Sequence, residues 1–153
     1  MFFLRALPDL DMISRYSKRP ETARTIRDAL VMLRDASVLL RCIDRYFAGH
    51  GLSQLQFLIL VVIDREPERT SLRQSEIGER LDVSKPVLHR TTKTLIKAGL
   101  LRSDPDKEDG RAEQLTLTPQ AAHKLQEVIP GYFRLIADFM QSPADTAAGR
   151  VVR

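Results

Sequence analysis

The chain has 153 residues, with 24 Lys+Arg against 20 Asp+Glu, and 43% of it is hydrophobic, enough for one domain with flanking helices. Its one cysteine, Cys42, excludes an internal disulfide framework. The longest apolar run, residues 57–63, is far too short to cross a membrane, and the N-terminal segment, interrupted by Arg5, does not resemble a signal peptide. These features predict a cytoplasmic protein without a membrane partner, and the net charge of +4 favours an anionic partner.

The first 50 residues are predicted to form a pairing arm. A short amphipathic helix is expected from the spacing of Leu7, Leu10 and Ile13, with Pro8 and Asp9 at its start. A long helix is expected from Glu21 to Phe47, with Pro20 in its first turn. The apolar residues of the long helix form two adjacent stripes, which are Ile26, Leu30, Leu33, Leu40 and Phe47, and Ala29, Met32, Ala36, Leu39 and Ile43. Two stripes make a wider face than one domain usually needs. The helix is either buried in its own core or, as we favour, also packed against a second subunit.

Cys42 lies within this predicted long helix. A lone cysteine on a helix is more often an inert small hydrophobe than a sensor. Arg41 and Arg45 are close enough in sequence to favour its thiolate form, so a redox sensor is kept as a minority hypothesis.

Residues 57–63 could form a buried strand, because they are rich in β-branched side chains. Ser53 and Gln56, however, have the spacing of a capping box, which marks the start of a helix. Together with the distance to Pro67, this start signal favours a buried helix.

A helix-turn-helix pattern follows. A short strand is predicted at Ser71, then a helix over residues 74–81, in which Gly78 indicates a close approach of the next helix. Residues 82–84 form the turn. Ser84 is predicted to cap the second helix, and Pro86 is tolerated in its first turn.

The second helix, residues 85–98, has two contrasting faces. The inward residues are Leu88, Thr91, Leu95 and Ile96, and the outward ones are Lys85, His89, Lys93 and Lys97, four apart, with Arg90 beside them. No acidic residue occurs between Ser84 and Ser103, whereas a merely solvated face usually mixes charges. Unmixed positive charge on a capped helix after a tight turn is typical of contact with DNA phosphates and base edges.

Two antiparallel strands are predicted next, at residues 100–102 and 114–117, and Pro105 and Gly110 turn the loop between them. The loop carries four acids that are unfavourable near DNA, namely Asp104, Asp106, Glu108 and Asp109. Asp109 is predicted to hold Arg111 in place. Arg111 could then enter a minor groove, where narrow A·T-rich segments attract arginine.

Residues 52–118 resemble the MarR family of bacterial transcription regulators. The similar motifs are Gly51-Leu52-Ser53 with Gln56-Phe57, EIGERLDVSKP, IKAGLLRS, Asp109-Gly110-Arg111 and Leu117-Thr118. The resemblance implies a winged helix-turn-helix fold, a homodimer and a small, often aromatic or anionic, effector. It also implies a minor-groove role for Arg111, with Asp109 as its support, and recognition-helix roles for Ser84, Lys85, Pro86, His89 and Arg90.

Two residues depart from the family pattern. Val87 replaces a hydroxyl residue common in the family, and His89 stands where serine or threonine is usual. The base preference of relatives therefore cannot be transferred to this chain.

Residues 119–153 are expected to contribute C-terminal dimerisation helices. Thr118 and Pro119 predict a helix start, and Pro130-Gly131 predicts a kink or a break. Ser142-Pro143 closes the pattern and leaves a short tail, which suggests either a truncated chain or a dimer that depends mainly on the N-terminal helices.

The predicted fold is mainly α with a small β-hairpin wing (α+β). It comprises an N-terminal arm and dimerisation helix (1–50), a winged helix-turn-helix lobe (52–118) and C-terminal dimerisation helices (119–153). The predicted function is a homodimeric repressor that binds duplex DNA and is released by a small effector, with no cofactor or metal. Dispersed histidines and the lack of a nucleophile–base pair argue against an enzyme. The alternatives are a redox-sensing repressor and a winged-helix protein-interaction module.

Overall fold

A computed structural model describes residues 7–66, 69–106 and 112–141, except for the side chain of Pro20. The chain divides into two compact units, one comprising Met1–Ile43 with Arg134–Arg153 and the other Asp44–Phe133. The division falls within the two longest helices, α2 (Ala23–Gly49) and α6 (Pro119–Gln141).

The first unit begins with helix α1, Leu10–Tyr16, followed by a 3₁₀ turn, Pro20–Thr22, and α2. Asp9 is the N-cap of α1, which confirms its predicted place at the helix start, and its carboxylate accepts a hydrogen bond from the Met12 N–H at 2.7 Å. Although Ile13 and Ile43 are buried, many large apolar side chains of this unit are exposed. They are Leu10, Met12, Tyr16, Ile26, Met32, Leu33, Leu40 and Met140.

The second unit contains helix α3, Gln54–Asp64, which confirms the helix prediction for this segment and shows the strand alternative to be wrong. The predicted capping box is present. The Ser53 N–H donates to Gln56 Oε1 at 2.7 Å, and the Gln56 N–H donates to Ser53 Oγ at 3.2 Å. Because this box satisfies two backbone groups at the helix start, the local signal outweighs the strand propensity of the β-branched residues.

An aromatic cluster fills one end of the second unit. The rings of Phe47 and Phe57 stack with centroids 4.4 Å apart, and Tyr132 lies 5.2 Å from Phe47 and 5.1 Å from Phe57. Phe47 is fully buried. The predicted apolar stripe of α2 therefore ends in the core of this unit, whereas its earlier members, such as Leu33 and Leu40, are exposed.

Helix α4 (Gln74–Leu81) and helix α5 (Lys85–Lys97) follow strand β1 (Ser71–Arg73), and strands β2 (Leu101–Pro105) and β3 (Glu113–Leu117) complete the lobe. Within the described residues the strands form one antiparallel sheet in the order β1-β3-β2. The predicted hairpin is confirmed. The sequence did not predict that β1 also pairs with β3, which places Leu72 opposite Leu115.

Helix α6 continues through Pro130, so the predicted break is wrong. Proline removes one helical hydrogen bond, and the helix nevertheless continues, with Val128, two residues earlier, fully buried. Gly131 leaves room for Tyr46, whose hydroxyl donates to the Val128 carbonyl at 2.8 Å. A Cβ at Gly131 would overlap the Tyr46 hydroxyl oxygen.

Among the described residues, no helix by itself has the length and apolar composition to span a membrane. By length and composition alone, the bent pair formed by α2 and α3 meets that criterion.

Candidate nucleic-acid interface

The turn between α4 and α5 depends on Asp82, which adopts a left-handed conformation with φ 50°. Aspartate tolerates this conformation better than most residues, because its short polar side chain can bond locally. The Val83 N–H donates to the Gly78 carbonyl at 3.2 Å and closes the end of α4. A Cβ on Gly78 would lie 3.2 Å from Leu88 Cδ2, which confirms the predicted close approach of the two helices.

Helix α5 buries Leu88, Thr92 and Leu95. The prediction that Thr91 faces inward is wrong, because Thr91 is only half-buried and its hydroxyl donates to the Val87 carbonyl at 2.9 Å. Thr92 takes the inward position, four residues after Leu88 and three before Leu95. Its hydroxyl accepts a hydrogen bond from Gln74 Nε2 at 2.8 Å, so this buried polar atom is satisfied and connects α5 to α4.

The opposite face of α5 is cationic and exposed, as predicted. Its members are Lys85, His89, Arg90, Lys93 and Lys97. None of these side chains makes a hydrogen bond or ion pair with another described residue. Other cations of the same unit, such as Arg80 and Arg102, are already paired with carboxylates. The charge of α5 therefore remains available to an external anion.

Ser84 and Pro86 are also exposed at the start of α5. Ser84 occupies the N-cap position with extended backbone angles, but its hydroxyl makes no capping hydrogen bond, so the predicted side-chain cap is wrong. Since nothing else in the described residues engages this hydroxyl, it too can bond an external group.

Asp106 fixes the base of the hairpin. Its side chain is only 2% exposed and accepts two hydrogen bonds from the Arg73 guanidinium, at 2.6 and 3.0 Å, and one from Gln114 Nε2 at 2.6 Å. The Asp106 N–H also donates to the Ala112 carbonyl at 2.9 Å. This acid is therefore a buried anchor rather than a charge that faces DNA, which corrects the sequence-based interpretation.

Arg73 links this anchor to the start of α4, because its own N–H donates to Glu76 Oε2 at 2.7 Å. Glu76 also accepts from Arg69 Nη2 at 2.8 Å. The hydrogen bond from Arg69, reinforced by the bond from the Arg73 N–H, lowers the pKa of Glu76 below its ordinary value. The contact between Arg73 and Glu76 is local, since the two residues have the three-residue spacing of a capping box. The sequence contains no local signal for the pair of Arg73 with Asp106, which lie 33 positions apart.

Two predicted site residues, Asp109 and Arg111, lie outside the described residues, as does Glu108. Asp104 is described and pairs with Arg102 at 2.7 Å on the exposed side of β2. Two of the four acids predicted near DNA are thus already partnered by arginine.

Cys42 is free and partly exposed on α2. The nearby Arg41 guanidinium donates to Ser37 Oγ at 2.7 Å. No group of three His, Cys, Asp or Glu residues in the described parts of the chain is arranged to hold a metal ion.

The order of helices, the sheet and the exposed cationic helix define a winged helix-turn-helix protein. A family model described as "MarR family" matches residues 50–112. The chain is 30% identical to the transcriptional repressor YetL of Bacillus subtilis over 103 residues, which is 67% of this chain and 60% of YetL. It is 25% identical to the regulator PapX of Escherichia coli over 122 residues, 78% of this chain and 74% of PapX.

Solved structures give the same fold. AbsC, a MarR family regulator from Streptomyces coelicolor, superposes with a TM-score of 0.65 at 22% identity, covering 69% of this chain and 71% of AbsC. The M. tuberculosis regulator MosR in complex with DNA superposes with a TM-score of 0.58 at 25% identity, covering 76% of this chain and 80% of MosR. Residues 50–112 of the chain match the MarR family of transcription regulators, and the fold is that of MarR family regulators.

Proposed function

We propose that this chain binds a specific duplex DNA sequence as a homodimer, with α5 in the major groove. The observation that carries the proposal is the exposed cationic face of α5, whose side chains have no partner among the described residues. The major groove of B-DNA is wide enough to admit a helix, and its phosphates and base edges provide the missing acceptors.

Different residues of α5 are proposed to contact the phosphates and the base edges, according to their position and chemistry. Lys85 and Lys93 contact phosphates as compact positive charges. Ser84 and Pro86 lie at the helix start, where the Ser84 hydroxyl and the backbone N–H groups are suited to a phosphate oxygen. His89 and Arg90 contact base edges, since arginine offers the two parallel donors that guanine O6 and N7 accept.

The hairpin is proposed to act as the wing. The Asp106 anchor holds the base of strands β2 and β3 against β1 and α4, which gives the hairpin a fixed direction. Arg111, supported by Asp109, is proposed to enter the minor groove. Arg111→Ala is therefore expected to weaken DNA binding about tenfold or more while the protein remains folded.

A homodimer is the proposed active form. Exposed Met12, Tyr16, Met32 and Met140 are large apolar side chains of the first unit, and such surface marks an interaction site. Two copies related by a twofold axis would present their recognition helices to successive major grooves, about 34 Å apart. The DNA site should consequently be an imperfect palindrome.

Repression is the proposed mode of regulation, supported by the similarity to YetL, a transcriptional repressor. Release by a small aromatic or anionic effector is proposed from the family resemblance. Such a ligand would act by favouring a conformation whose two recognition helices no longer match the groove spacing.

The test begins with selection of bound sites from random DNA, followed by affinity measurements on the selected site and on random DNA. Arg90→Ala should reduce the preference for the selected site more than it reduces binding to random DNA. Lys93→Ala should weaken both by a similar factor and lower the salt slope by about one. Lys124→Ala is the matched control, because its ammonium is already paired with Glu127 at 3.1 Å.

Two results would contradict the proposal. Equal losses for Lys93→Ala and Lys124→Ala would show that the α5 face does not contact phosphates. An absence of salt-dependent DNA affinity would instead favour the protein-interaction module.

A further inference from the structure

Helix α5 has a second exposed flank beside its cationic face. Val87, Thr91 and Thr94 follow one another at four- and three-residue spacing, so they lie on one side of the helix. Val87 is 37% exposed, Thr94 is exposed and Thr91 is half-buried. This flank carries no charged side chain.

The two threonines of this flank direct their hydroxyl hydrogens into their own helix. Thr91 Oγ1 donates to the Val87 carbonyl at 2.9 Å, and Thr94 Oγ1 donates to the Arg90 carbonyl at 3.1 Å. Because those donors are used within the helix, the groups that the flank offers to a partner include the methyl groups of Thr91, Thr94 and Val87. We call these three residues the methyl flank.

The position of Val87 is costly for a free helix. Valine has a lower helix propensity than unbranched residues, and Val87 is 37% exposed, whereas Leu88 and Leu95 are buried in the core. Its neighbours Pro86 and Arg90 lie on the face proposed to meet DNA. If this face meets DNA, the apolar side chain of Val87 is suited to an apolar group on the DNA.

The edges of the bases in the major groove expose one type of apolar group, the 5-methyl of thymine, which 5-methylcytosine shares. We propose that Val87, within the methyl flank, contacts a pyrimidine 5-methyl group in each half-site and so specifies thymine at that position. This inference rests on the proposed function, and it assigns a specificity-determining role to a residue that carries neither charge nor hydrogen-bonding group.

The experiment changes the methyl group alone. The selected palindrome is synthesised with deoxyuridine in place of each thymine in turn, symmetrically in both half-sites, and affinity is measured by fluorescence anisotropy. At one thymine position, loss of the methyl group should weaken binding of the wild-type protein about fourfold for each half-site, the value expected for one buried methyl group. The symmetric change removes two such groups and should weaken binding about 15-fold.

Two further arms identify the protein residue and the source of the methyl group. In Val87→Ala the difference between thymine and uracil at that position should disappear, whereas His89→Ala should retain it even if its overall affinity falls. Cytosine and 5-methylcytosine placed at the same position should differ by a similar factor in wild type, and should not differ in Val87→Ala. Circular dichroism confirms that each variant is folded.

The outcomes separate this inference from the proposed function. If wild type shows no sequence-dependent DNA binding, the proposed function itself fails. If wild type binds the selected site but no thymine shows a methyl effect, or if Val87→Ala retains the full effect, the function stands and the role of Val87 is refuted. A selected half-site that contains no thymine would refute it as well.

Discussion

Two ion pairs at the hairpin, Asp106 with Arg73 and Asp104 with Arg102, differ in burial. Comparing them measures how much burial contributes to the stability of the hairpin. Asp106 lies 2.6 Å from Arg73, and Asp104 lies 2.7 Å from Arg102. The Asp106 side chain is 2% exposed, whereas the Asp104 side chain is 49% exposed. The two pairs therefore differ in their contact with water, and Asp106 also accepts a second hydrogen bond from Arg73 and one from Gln114.

The expected cost of Asp106→Ala follows from the groups that it leaves behind. Removing one member of a buried pair costs about 3–5 kcal/mol, but the Arg73 side chain is 34% exposed and can regain water. Gln114 Nε2 also loses its acceptor, which costs about 1 kcal/mol or more. We expect a loss of about 2–3 kcal/mol in the free energy of unfolding, against less than about 1 kcal/mol for Asp104→Ala.

The assay is urea unfolding followed by circular dichroism at one fixed protein concentration, because the proposed dimerisation would make apparent stability depend on concentration. A double-mutant cycle of Arg73→Ala with Asp106→Ala should give a coupling energy of about 2 kcal/mol. The corresponding cycle of Arg102→Ala with Asp104→Ala should give about 0.5 kcal/mol or less. Equal coupling energies in the two cycles would refute the assignment of Asp106 as a buried anchor.

Two further predictions concern the packing of α6 and the start of α4. Gly131→Ala should destabilise the protein by about 1–3 kcal/mol, because its Cβ would meet the Tyr46 hydroxyl, and by less in a Tyr46→Phe background; identical losses in both backgrounds would contradict this contact. Because the pKa of Glu76 is lowered, its ionised carboxylate stabilises the folded state fully above pH 4.5, the usual pKa of the carboxyl group. This stabilisation is lost as the pH falls through the lowered pKa. Glu76→Gln should therefore show a shallower loss of stability in urea titrations between about pH 6 and pH 3, and parallel curves for the two proteins would count against the charge of Glu76 as the cause.

The features predicted correctly from the sequence are those with local signals. Helix α4 has the predicted bounds Gln74–Leu81, and helix α3 has the predicted capping box. The cationic and apolar faces of α5 were also predicted, since they follow from residue spacing alone. In each case the interacting groups lie within four residues of one another, so a short window of sequence contains the information.

Three local signals gave a wrong prediction, namely the inward orientation of Thr91, the side-chain cap by Ser84 and the helix break at Pro130. Thr91 and Thr92 are adjacent residues of the same type, so the residue type does not indicate which of them faces inward. The hydrogen bond from Gln74 is consistent with Thr92 as the inward residue. Ser84 has the residue type of a side-chain cap but makes no capping bond. Pro130 carries a local signal for a helix break, but α6 continues through it.

By itself, the sequence determined the class of fold, the order of its elements and the charged face of α5, because these depend on periodicity, capping residues and unmixed charge. Only the tertiary structure decided which polar groups are already satisfied within the fold. Asp106 meets Arg73 across 33 positions of the chain and is removed from the acids that could oppose DNA. The cations of α5, by contrast, have no partner among the described residues. Pairing between groups that are remote in sequence depends on strand register and helix packing, which no local pattern specifies.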